Sequence, residues 1–130
     1  MKSLVVEDEF TSRLVLQKIL GEYGEVHIAS NGKEAVEAVH LSHKDGVPYS
    51  LIALDIMMPE MNGTEALKKI REIEEVFNLA PGEGSKIIMT TSLGDGKSIM
   101  TSFKDQCDGY LVKPIEKEKL LKYLQEFKLI

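Results

Sequence analysis

The chain of 130 residues has a single cysteine, no tryptophan and only four prolines, and its 21 acidic side chains outnumber 16 lysines and arginines. One thiol, Cys107, excludes an internal disulfide and a cysteine-built zinc site, and it fits a reducing compartment. A formal charge of −5 argues against an autonomous nucleic-acid binder, which needs a basic patch to neutralise phosphates. No apolar run approaches the roughly 20 residues that span a bilayer. The N-terminus turns acidic at Glu7, so it lacks the layout of a signal peptide. These absences lead to the expectation of one cytoplasmic domain over 1–130, with no membrane or direct nucleic-acid partner. With 43% hydrophobic and 28% charged residues, the chain has enough apolar material for a core and is not disordered.

What is there alternates. Ser3-Leu4-Val5-Val6 is a continuous apolar run, the pattern of a strand buried on both faces. A helix is expected from about Thr11 to Tyr23, with Leu14 and Ile19 on its apolar side and Gly21 and Gly24 after it. Val26 to Ala29 reads as a second strand. Asn31, with Glu34 three residues on, reads as the N-cap of a helix through Val36, Val39 and Leu41. Ser42 to Tyr49 reads as a polar loop, and Leu51 to Leu54 as a third strand ending at Asp55. Thr64 to Phe77 is helical by the spacing of Leu67, Ile70 and Ile73, and Asn78 to Ser85 is a loop containing Pro81, Gly82 and Gly84. A strand at Ile87 to Thr90, a helix over 97–105, a strand at Tyr110 to Val112 and a closing helix at Glu116 to Phe127 complete the pattern. Strict β–α alternation predicts a parallel sheet with helices on both faces, and for five such units the flavodoxin-like order 2-1-3-4-5.

Ligands of such sheets bind beyond the carboxyl ends of the strands. There the first strand delivers Glu7 and Asp8, the third Asp55, the fourth Thr91 and Ser92, and the fifth is followed by Lys113-Pro114. Clustered carboxylates repel one another unless a cation joins them, and hard oxygen donors suit Mg²⁺. An ammonium and a hydroxyl beside them are suited to holding phosphoryl oxygens.

The segments LVVEDEFTSR, LIALDIMMPEMNG, IIMTTSLGD and GYLVKPI, in that order, closely resemble the CheY-like receiver domains of two-component response regulators. The resemblance covers essentially the whole chain. It implies that Asp55 accepts a phosphoryl group, that Glu7, Asp8, Asp55 and the Met57 carbonyl hold Mg²⁺, and that Thr91 and Lys113 hold the phosphoryl oxygens. It further implies a cis Lys113–Pro114 peptide and a switch role for Tyr110. A histidine kinase or histidine phosphotransfer protein would be the donor. Output would pass to a downstream protein through the fourth helix, fifth strand and closing helix, from a monomer or a weak phosphorylation-dependent dimer. The family's positions flanking the attacking water of dephosphorylation are Met57 and Leu93 here, both unable to accept a proton, which implies slow self-dephosphorylation. Glu7 departs from the commoner Asp, Ser92 from the commoner Ala, and the stretch from Asp55 to Thr91 is longer than usual.

Plainer readings stand beside these. Glu7 and Asp8 alone could be solvated caps, Thr91 a buried strand hydroxyl, Lys113-Pro114 a turn and Tyr110 packing. Glu9 and the run Glu72 to Glu75 read as a solvated face, Cys107 as a small core residue, and His40 and His43 as surface residues straddling a helix end. An aspartate-nucleophile phosphatase is the enzymatic alternative, but Met57 stands where the haloacid-dehalogenase type needs a second Asp. A receiver that only docks would normally have lost Asp55 or Lys113.

Overall fold

A computed structural model describes residues 1–58, 60–80, 82–92 and 106–130. Five parallel strands, β1 (Lys2–Val6), β2 (Glu25–Ala29), β3 (Leu51–Asp55), β4 (Lys86–Thr91) and β5 (Gly109–Val112), lie in the order β2-β1-β3-β4-β5. The described helices are α1 (Phe10–Leu20), α2 (Gly32–Lys44), α3 (Gly63–Val76) and α4 (Lys117–Glu126). The helix expected over 97–105 lies outside the described residues, as does Leu93. No helix among the described residues is long and apolar enough to cross a membrane.

The continuous apolar runs are explained by two-sided burial. Alternate strand residues point to opposite faces. Leu4, Val6, Ile52, Leu54, Ile87 and Met89 pack with Ala35 and Val39 of α2 and Ala66, Leu67 and Ile70 of α3. Val5, Leu51, Ala53 and Ile88 pack on the other face with Leu16, Ile19 and Leu20 of α1 and Leu120 and Leu124 of α4. At about 1.5–3 kcal/mol for each large apolar side chain removed from water, these two layers supply the main driving force for the fold.

Asn31 caps α2 as expected: its side chain accepts from Glu34 N–H at 2.8 Å, and Glu34 Oε1 accepts from Ser30 N–H at 2.7 Å. Two helix ends differ from the sequence reading. α1 stops at Leu20, with Gly21 as its C-cap, and Leu14 is half-exposed rather than on the packed side. α2 runs three residues past Leu41 to Lys44, because Ser42 turns inward and donates its hydroxyl to the Val39 carbonyl at 2.7 Å. His40 and His43 therefore share one helix rather than straddling its end. Both lie against Phe77, His43 stacked on it at 5.3 Å.

The larger correction concerns the run Glu72 to Glu75. Glu74 is only 5% exposed. It follows Leu67 and Ile70 at i+7 and i+4 and so falls on the packed stripe of α3. Arg71 holds it: Nη1 donates to Glu74 Oε1 at 2.7 Å and to the Ser85 carbonyl at 2.9 Å. Arg71 also donates through Nε to the Gln106 carbonyl at 2.7 Å and through Nη2 to Asp108 Oδ2 at 3.1 Å. Ser85 N–H closes the web on Glu74 Oε2 at 2.8 Å. A Cβ at Gly84 would stand 2.1 Å from that oxygen, so a larger residue would have to push the carboxylate out of this web. The long connection before β4 is thereby tied at its C-terminal end to α3 and to the start of β5.

Candidate functional site

Strand register builds the site. Val6 of β1 pairs with Leu54 of β3, which puts the next residues, Glu7 and Asp55, side by side. Asp55 pairs with Thr90 of β4, and Thr91 with Val112 of β5, so Thr91 and Lys113 arrive at the same end. The chain order reverses between the neighbouring strands β1 and β3, and the crevice lies beyond their carboxyl ends.

Glu7 is fully buried, Asp55 is 4% exposed, and Asp8 is exposed. One oxygen from each of the three carboxylates lies within 4.8 Å of the others. Lys113 Nζ stands 2.6 Å from Glu7 Oε1 and 3.3 Å from Asp55 Oδ2. Its backbone N–H donates to the Thr91 carbonyl at 2.7 Å, and its peptide bond to Pro114 is cis. Thr91 is buried at the end of β4. All the side chains expected at the site, apart from those on residues outside the description, thus belong to one end of the sheet. Tyr110 lies on β5, half-buried, its N–H donated to the Tyr123 hydroxyl at 3.2 Å.

The segment after Asp55 is shaped by Gly63. A Cβ there would stand 2.2 Å from the Asp55 carbonyl oxygen, and Gly63 N–H donates to the Ile56 carbonyl at 2.8 Å. Gly63 is thus held against the strand end, while the Met57 side chain faces solvent at 65% exposure. Asn62 caps α3 by accepting from Glu65 N–H at 3.0 Å. The sequence reading missed Asn62 and Gly63, although the Asn-Gly pair before a helical run was the available signal. It also missed that the Glu9 N–H holds Glu7 Oε2 at 3.1 Å, with the Glu9 carboxylate taken by the Ser12 hydroxyl at 2.5 Å.

Burial pushes the Glu7 carboxyl from its ordinary 4.5 up to about 7, with Lys113 opposing and Asp55 adding to the rise. Burial alone would lower the Lys113 ammonium, but Glu7 and Asp55 together outweigh it and hold the pKa above its usual value. A consequence can be measured. Between about pH 4.5 and 7 the folded chain keeps the Glu7 proton that the unfolded chain has released, so folding takes up a proton there. The Glu7 contribution to stability therefore falls as pH rises through that window and is level above it. Urea denaturation in a chelator at about pH 5 and about pH 8 should show Glu7→Gln losing less stability with rising pH than the wild type. Identical pH dependence in the two proteins would contradict the assignment.

The donor set fits a hard divalent cation. Three carboxylates offer only oxygen, Asp8 opens the cluster to water, and Mg²⁺ keeps several waters when bound. Glu7 Oε1 is buried and has no aligned hydrogen bond; its approach to Lys113 is charge against charge.

Fold and site together define a flavodoxin-like α/β protein with an acidic crevice at its switch point. The chain belongs to the response-regulator receiver family: the family described as Response regulator receiver domain matches residues 3–125. It is 35% identical over 118 residues to the chemotaxis protein CheY of Halobacterium salinarum, covering 91% of this chain and 88% of that one. It is 34% identical over 119 residues to the transcriptional regulatory protein SrrA of Staphylococcus aureus, spanning 91% of this chain and 44% of SrrA. Against the osmosensing histidine protein kinase SLN1 of Saccharomyces cerevisiae it is 31% identical over 129 residues, 98% of this chain but 10% of the kinase. Among solved structures, Vibrio cholerae CheY4 matches with a TM-score of 0.76 at 29% identity, covering 97% of each chain. The receiver domain of the Arabidopsis thaliana histidine kinase CKI1, complexed with Mg²⁺ and BeF₃⁻, matches with a TM-score of 0.80 at 28% identity, covering 98% of this chain and 89% of that one.

Proposed function

We propose that this receiver accepts a phosphoryl group on Asp55 from a phosphohistidine of a histidine kinase or phosphotransfer protein. An Asp55 carboxylate oxygen attacks phosphorus, the N–P bond of the donor breaks, and its electron pair returns to the imidazole. The observation that carries this reading is the enclosed Asp55 carboxylate, the last residue of β3, held between an ammonium and two further carboxylates. Lys113 and Thr91 are assigned to the phosphoryl oxygens, Lys113 as a point charge and Thr91 as a hydroxyl donor. Glu7, Asp8 and Asp55, with the Met57 carbonyl, are assigned to Mg²⁺. When bound, Mg²⁺ supplies charge neutralisation for the incoming phosphoryl group.

A protein donor is favoured by exposed apolar side chains on the segments that follow β1 and β3, Phe10 at 66%, Leu14 at 49% and Met57 at 65%. The chain is read as a cytoplasmic phosphoacceptor rather than a turnover enzyme. Thr91 and Tyr110 are assigned as the elements that report phosphorylation to the β5 and α4 surface, where a downstream protein would bind. The cation assignment has a direct test. Asp8→Ala removes one charge and one oxygen donor from a site of three carboxylates, so Mg²⁺ affinity should fall more than about tenfold, 1.4 kcal/mol. An unchanged affinity in a spectroscopic titration would reduce Asp8 to a solvated cap.

A further inference from the structure

The Met57 carbonyl can serve a cation only if the backbone beyond Asp55 keeps its course. Among the described residues, backbone hydrogen bonds hold it at three points. Ile56 N–H donates to the Thr90 carbonyl at 3.0 Å, the Ile56 carbonyl accepts from Gly63 N–H at 2.8 Å, and the Met61 carbonyl accepts from Gly32 N–H at 3.2 Å. The third bond comes from α2, an element that gives none of the three clustered carboxylates. Gly32 opens that helix, is buried, and is not one of the positive-φ glycines, so a close contact rather than a turn excludes a side chain there. A Cβ on Gly32 would stand 2.5 Å from the Met61 carbonyl oxygen and 3.0 Å from Met61 Cβ and Cγ. That oxygen is backbone and cannot swing aside, so a larger residue would part α2 from Met61. Glu60, the next residue back, has a φ of 65°, a conformation that residues other than glycine keep only where the surroundings hold them. Freed at Met61, this stretch would relax onto another course.

We propose that Gly32 is a positioning residue of the cation site: its bare backbone lets α2 clasp the Met61 carbonyl, and the clasp holds the backbone that presents the Met57 carbonyl. The proposal rests on the Mg²⁺ assignment and extends it to a helix that supplies no ligand. A donor held in place before the ion arrives spares the ordering that otherwise weakens binding.

The test titrates Mg²⁺ alone into the full chain and into Gly32→Ala, Asn31→Ala and Gly84→Ala. Alanine suits a helix better than glycine, so any harm from Gly32→Ala comes through Met61. That variant should lose at least about threefold in Mg²⁺ affinity, less than the roughly tenfold typical of direct partners of a ligand, because the clasp acts beyond Met57 in the chain. Asn31→Ala brings no clash. It removes the cap that accepts from Glu34 N–H at 2.8 Å and loosens the turn that carries Gly32, so affinity should fall there too. Gly84→Ala is the control: its added Cβ meets Glu74 at the other end of α3, and Mg²⁺ affinity should stay at the wild-type value. Wild-type affinity in Gly32→Ala, or in Asn31→Ala should Gly32→Ala fail to fold, would overturn the proposal, and so would an equal loss in Gly84→Ala. A wild type that binds no Mg²⁺ would overturn the cation assignment itself, whereas binding that the variants leave unchanged would overturn only the role of Gly32.

Discussion

Asp55→Asn should take up no phosphoryl group from a small-molecule phosphodonor in Mg²⁺, where the wild type takes up one. The side chain is the last residue of β3 and 4% exposed, so the variant changes a carboxylate to an amide in a fixed frame. An amide oxygen is a poor nucleophile toward phosphorus, and it removes one of the three negative charges that would hold the cation. Glu7 is a poor substitute acceptor: burial raises its pKa to about 7 and Lys113 lies against it. Asp8 is exposed and lacks the lysine contact that Asp55 has. Intact-mass measurement before and after donor treatment decides the matter. Uptake that persists in Asp55→Asn would show that another side chain is the acceptor.

Arg71→Ala should cost about 3 kcal/mol of folding stability, toward the lower end for breaking a buried ion pair because its side chain is about a fifth exposed. The loss exceeds that of an ordinary surface substitution because of what is left behind. Glu74, 5% exposed, keeps a charge with no cation beside it, and the carbonyls of Ser85 and Gln106 lose their donors. Asp108 Oδ2 retains Ile87 N–H at 2.8 Å, and Lys86 approaches its other oxygen at 3.9 Å, so that side is partly compensated. Lys119→Ala is the control. It removes an exposed ion pair to Glu116 at 3.5 Å and should change stability by less than about 0.5 kcal/mol. Urea denaturation of the three proteins should separate them clearly. An Arg71→Ala variant as stable as Lys119→Ala would mean that the web forms no buried network.

The contrast between those two sites explains what the sequence made legible. Strands buried on both faces appear as unbroken runs such as Leu51 to Leu54, and each run ends where the chain turns polar. The candidate site is made of those polar residues, Glu7, Asp8, Asp55, Thr91 and Lys113, so locating the strand ends brought out the cluster. Sheet register then did the rest, since Val6 opposite Leu54 puts Asp55 beside Glu7 on the β3 side. The Arg71 web has no such signature. Its partners at Ser85, Gln106 and Asp108 are 14 to 37 residues away, and their pairing depends on how α3 crosses the sheet. Only Glu74 left a trace, as an acidic residue on the stripe of Leu67 and Ile70. The inward turn of Ser42 was hidden for a similar reason, because a serine bonded to its own helix backbone looks, in sequence, like the start of a loop.

The most direct test of the account is to locate the phosphoryl group in the wild-type chain. Protein treated with a small-molecule phosphodonor and Mg²⁺ is reduced with borohydride, which converts an acyl phosphate to an alcohol, and its peptides are then sequenced by mass spectrometry. The account predicts that the reduced residue is Asp55, and that omitting Mg²⁺ suppresses the modification. Reduction at Glu7, Asp8 or any other carboxylate in place of Asp55 would contradict it.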